Sequence, residues 1–142
     1  MIAFGKHYFV FIFLIPTHIK VMKQVDTRKS ILIFMYSERI KSELIIASEV
    51  LAKMFTLKGE ERKGAEKLMS TYLDALAGEI RIAQGIEKSI NFLGAEKKIR
   101  EAMGKIMLSD FSEINRCISD SLSYITTSSQ KAMEILEEKH LL

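Results

Sequence analysis

The chain has one cysteine, one proline, no tryptophan and only three histidines among its 142 residues. A single thiol, Cys117, excludes an intramolecular disulfide and a thiolate metal cluster built within one chain. It also fits a reducing compartment, and the expected location is the cytoplasm. With Pro16 as the sole proline and seven glycines, long windows are free of helix breakers, which favours an all-α fold. His7, His18 and His140 all stand in terminal segments, so Cys117 has no histidine one helical turn away to act as its base. An excess of positive charge is missing too. Residues 1–21 hold Lys6 and Lys20, and without them 19 of the 21 basic residues face 18 acidic ones. That balance lacks the basic footprint of a protein whose partner is DNA or RNA, and nucleic acid is not the expected partner.

What the chain does have is helical periodicity. A first helix is expected from Asp26 or Thr27 to about Leu57, with a near-heptad seam of Ile33, Tyr36, Ile40, Leu44, Ala47, Leu51 and Met54. A second opens at GEERKGAEK (residues 59–67) and carries Ala65, Met69, Tyr72, Leu76, Ala83, Ile86 and Ile90 on one face, with Gly94 as its C′ residue. Gly78 and Gly85 inside it call for a packing reason. A short third helix is expected over Ala95–Met107 with Ile99, Met103 and Ile106 inward. Asp110 and Glu113 then resemble a capping box that starts a fourth, running to about Glu138 on Phe111, Ile114, Ile118, Leu122, Ile125, Ala132 and Ile135. This last helix holds the row SDSLSYITTSS at 119–129, which reads as a narrow surface for close helix approach or as a polar stripe. The expected architecture is an antiparallel helical bundle of three long helices plus one short helix. It forms one domain over residues 22–142, preceded by an apolar and basic extension at residues 1–21.

That extension contains YFVFIFLI, Tyr8–Ile15. At eight residues the run is well short of the roughly 20 that span a bilayer. No small-x-small cleavage site follows it, and as a strand it has no partner. Two readings stand level: a start codon set upstream of Met22, or a segment that covers the all-round apolar stretch ILIFMY (residues 31–36). A membrane-surface contact through residues 8–15, beside Lys20, Lys23, Arg28 and Lys29, comes third.

No reactive constellation emerges. Glu137 and His140 have E-x-x-H spacing, but a di-metal bundle needs two such pairs. GEERKG has the outer glycines of a phosphate loop, yet Ala65-Glu66 stands where Lys-Ser/Thr is required. Glu60, Glu61, Glu66 and Asp74 are the candidate metal carboxylates, interleaved with Arg62, Lys63 and Lys67. The expectation is a non-catalytic helical interaction protein with no cofactor, dimerising through Ile31, Phe34, Met35, Ile45, Ile46 and Val50. The alternatives are a small metal-dependent nucleotide or phosphate hydrolase using those carboxylates, and a membrane-surface protein.

Overall fold

A computed structural model describes residues 2–142, with side chains described from Thr27 onward. All elements among the described residues are helices: α1 (Ile2–Met54), α2 (Gly59–Ile86), α3 (Ile90–Ile106) and α4 (Phe111–Glu138). Each packs on its chain neighbours, and α4 closes against α1, while among the described residues no Cα of α1 comes within 8 Å of one in α3, nor any Cα of α2 within 8 Å of one in α4. The connections are three or four residues long, which makes successive helices antiparallel.

Cross-links between helices confirm those directions. Between α1 and α2, Arg39 pairs with Glu79 at 3.0 Å and the Tyr72 hydroxyl donates to the Glu43 carbonyl at 3.1 Å. From α2 to α3, Arg81 meets Glu96 at 2.8 Å and Asp74 meets Arg100 at 3.9 Å. Between α3 and α4, Lys98 pairs with Asp120 at 3.6 Å and Lys105 with Glu113 at 3.3 Å. The α1–α4 seam is bonded near both ends of its upper half: Ser129 donates to the Glu38 carboxylate, and Lys139 donates to the Thr27 hydroxyl at 2.5 Å. In every case the later residue on one helix meets the earlier on the other.

The core is built largely from the expected seams, although Phe111 and Ile135, expected on the inward face of α4, are exposed at 39% each. Ile33, Ile40, Leu44, Ala47, Leu51 and Met54 of α1 are buried, with Tyr36 packed against them. Ile99 and Ile106 of α3, and Ile114, Ile118, Ile125 and Ala132 of α4, join them. Each fully buried Ile or Leu contributes about 1.5–3 kcal/mol relative to exposure. Leu73, Ala77, Ile80, Phe92 and Leu136 are also buried, although the periodic reading did not single them out.

Four expectations are corrected. α1 begins at Ile2, upstream of Asp26 and Thr27, because a side chain caps a helix only where the preceding backbone is not already helical. α2 ends at Ile86 rather than near Gly94, and Gly94 lies inside α3. The break falls at Glu87–Ser89, where extended backbone at Glu87 stops one helix and the Ser89 hydroxyl accepts from the amide of Asn91 to start the next. Ile90 therefore belongs to α3 and is 79% exposed, not part of the α2 face. A Cβ at Gly78 or Gly85 would meet nothing within 4 Å, so neither glycine answers to close packing. The Asp110 cap holds: its carboxylate accepts from the amide of Glu113 at 3.1 Å. The octet Tyr8–Ile15, and the readings of it as a cover or a membrane contact, lie outside the described side chains.

Candidate functional site

Three places merit description: the outer face of α1, the acidic start of α2, and the end of the bundle where α1, α3 and α4 converge. The first arises because α1 has more apolar residues than one seam accommodates. Ile31 (40%), Met35 (62%), Ile45 (49%), Ile46 (49%) and Val50 (46%) all remain exposed, and Leu32 joins them. Phe34 is half-buried against the core and sits on the inner side of this face. Between the two apolar clusters lie Arg39, which bonds Glu43 at 3.2 Å and Glu79 at 3.0 Å, and Ser42, which returns its hydroxyl to the Glu38 carbonyl. Hydrogen bonds from Lys41 and Ser129 hold the Glu38 carboxyl below its ordinary value.

The carboxylates of α2 are apart. Glu60 pairs with Lys63 at 3.2 Å, and Glu66 with Arg62 at 2.8 Å. Glu61 is exposed, and Asp74 lies about 20 Å further along the helix axis, facing Arg100. Arg62 is additionally fixed over the Phe55 ring at 3.9 Å, and Phe55 meets Phe111 edge-on at 4.9 Å. Among the described residues no group of three or more His, Cys, Asp or Glu side chains is placed to hold a metal ion.

Comparison of the chain with protein-family models, curated proteins and solved structures returns no match. Its chemistry is therefore read from its own side chains. Glu96, on α3, is a hub: Arg81 and Gln84 of α2 reach it at 2.8 Å each and Arg100 at 3.0 Å. Burial alone would raise its carboxyl, but these donors outweigh burial and hold it low. That is a helix clip. Cys117 is buried in the core, and burial pushes its thiol up, away from the thiolate a nucleophile requires.

The hydroxyl row of α4 divides by face. Ser121 is fully buried and donates to the Ala95 carbonyl of α3 at 3.2 Å, while Ser128 and Ser129 are buried toward α1. Small side chains on two faces let α4 lie close to both neighbours, which is the narrow-surface reading. Ser123 and Thr127 point outward and bond back to carbonyls four residues earlier.

At the far end of α4 a cavity of about 380 Å³ opens between α1, the N-terminus of α3 and α4. Lys29, Ser30, Asn91, Ser128 and Lys131 line it, residues that no motif or spacing in the sequence brings together. Among the described residues no helix is long and apolar enough to cross a membrane.

Proposed function

We propose that the chain is a non-catalytic helical interaction protein that works by self-association, as a homodimer, through the outer face of α1. The observation that carries this is the spacing of the exposed side chains. Ile31 and Met35 are four residues apart, as are Ile46 and Val50, and Met35 and Ile46 are separated by eleven. Eleven residues are three helical turns, so both pairs share one face. The pattern reads the same in either direction about a point between Ile40 and Lys41, and a two-fold axis there makes the face self-complementary. Ile31 would oppose the second copy's Val50, and Met35 its Ile46, with Arg39 and Ser42 at the centre. Each of these side chains moved out of water adds about 1 kcal/mol.

In this reading residues 22–142 form the single bundle domain, with three long helices and a short α3, and residues 1–21 are an extension to it. The lone, buried Cys117 suits a cytoplasmic setting. Sedimentation velocity at micromolar concentration tests the proposal. A dimer is expected for the native chain, and a monomer for Met35→Glu combined with Ile46→Glu. A native chain that sediments as a 16.2 kDa monomer would sink it.

A further inference from the structure

α2 carries a second row of uncharged residues that its own bundle does not bury. Leu68, Thr71, Ala75, Gly78, Ile82 and Gly85 follow one another at intervals of three and four, and so share one helical face. That face is turned away from Met69, Leu73, Leu76 and Ile80, which are buried in the core. Leu68 is 74% exposed and Ile82 54%. Such strict alternation of three and four is the spacing of a seam between two helices, here with no second helix from the same bundle on it.

The glycines are a separate observation. Gly78 and Gly85 cost helix stability relative to alanine. A Cβ at either would meet nothing within 4 Å among the described residues, so packing inside the bundle does not require them. On an outward face, a missing side chain lets another backbone come close.

Large and small residues are placed so that the row fits a copy of itself laid antiparallel, with a two-fold axis level with Leu76 and Ala77. Leu68 then faces the second copy's Gly85, Ile82 its Thr71, and Ala75 its Gly78. Charge selects the same direction. Asp74 and Arg81 flank the row on one side, and although they touch Arg100 and Glu96 of α3, their side chains stay 67% and 63% exposed. Antiparallel packing sets each Asp74 beside the second copy's Arg81. Parallel packing would set Asp74 beside the second copy's Glu79 and stack Leu68 on Leu68.

We infer that a second copy of this chain docks on the outer face of α2 through its own α2, antiparallel. This contact is separate from the outer face of α1 and does not rest on dimerisation there. Only Leu68 and Ile82 are large, so the contact is weak, forming on the order of 0.1–1 mM. It joins chains, or α1 dimers, that stay apart at micromolar concentration.

Sedimentation equilibrium from about 5 µM to about 1 mM tests this on the native chain and on Met35→Glu combined with Ile46→Glu. The double variant removes the α1 face, so its rise from monomer towards dimer reports α2 alone. Leu68→Glu, at an exposed position, should abolish the rise. Gly78→Leu should weaken it about tenfold or more while the thermal midpoint holds or increases. A merely sticky surface would respond in the opposite sense, since leucine adds apolar area. Ile90→Glu, at a residue 79% exposed and outside the row, should change nothing. Where the double variant does not fold, the same substitutions in the native chain are read as loss of mass gained above the micromolar species. No rise in mass overturns the inference, as does a rise that survives Leu68→Glu, that Gly78→Leu strengthens, or that Ile90→Glu weakens equally.

Discussion

Gly94 lies directly beneath the ring of Tyr124, and a methyl group at Gly94 would come within 2.7–2.9 Å of three ring carbons. The absent side chain is thus what lets α4 set an aromatic ring flat on the first turns of α3. Gly94→Ala is expected to force the ring aside and destabilise the fold by about 1 kcal/mol or more, against the usual gain of alanine over glycine in a helix. Removing the ring as well, with Tyr124→Ala, should reverse the sign of the Gly94→Ala effect. Urea unfolding of the two single variants and the double variant checks this as a thermodynamic cycle.

Glu113 clamps the start of α4 to Lys105 and Arg116. Hydrogen bonds from Arg116 and then Lys105 hold its carboxyl at about 2, against an ordinary value of 4.5. A carboxylate depressed in the folded state stabilises the fold above its ordinary value, and the benefit fades as pH falls from about 4.5 towards about 2. Thermal midpoints measured across that window should fall for the native chain. For Glu113→Gln they should start lower near neutral pH and fall less steeply.

Asp110 offers a separate test at the same turn, since its carboxylate satisfies the Glu113 amide at 3.1 Å. Asp110→Ala should cost about 1 kcal/mol, and Asp110→Ser or Asp110→Asn should restore most of it. Chemical denaturation with an unchanged m-value is the expected signature.

Two adjacent residues of α2 provide a contrast in burial. Met69 is 1% exposed and Leu68 74%. Met69→Ala is expected to cost about 2–5 kcal/mol, and Leu68→Ala to stay within about 0.5 kcal/mol. Equal costs would mean that the face of α2 turned to the core is not the one described.

Removing the α2–α3 clip by Glu96→Ala leaves Arg81, Gln84 and Arg100 without their shared acceptor. A loss of about 1–2 kcal/mol is expected, and because the carboxylate is only 12% exposed, added salt should narrow the difference from the native chain only slightly. Denaturation at low and high salt measures it.

The seams of α1 and α4 could be read from spacing because hydrophobic side chains recur at helical intervals and no breaker interrupts them. The α2–α3 boundary could not, for a related reason. Ile86 and Ile90 keep the interval across Glu87–Ser89, so the apolar pattern continues where the backbone does not. Gly94 drew the boundary to itself through the general preference of glycine for helix ends, whereas its role here is to make room for Tyr124. Ser89 was the available signal, an N-cap residue two positions before Asn91. The cavity left no trace at all: Ser30, Asn91 and Ser128 come from three helices and meet only through tertiary packing. The outer face of α1 lay between these cases. Its surplus of isoleucines was visible, but the inward setting of Phe34 required the neighbouring helices to be in place.

The bonding of Thr27 to Lys139 means that the middle of α1 and the residue just past the end of α4 are neighbours in space. A ribosome must therefore deliver the last helix before the first can be sealed. Until α4 emerges, the groove of α1 that receives Ser128, Ser129 and Ala132 stays open to water, and a nascent chain stalled before Phe111 would present that groove to chaperones.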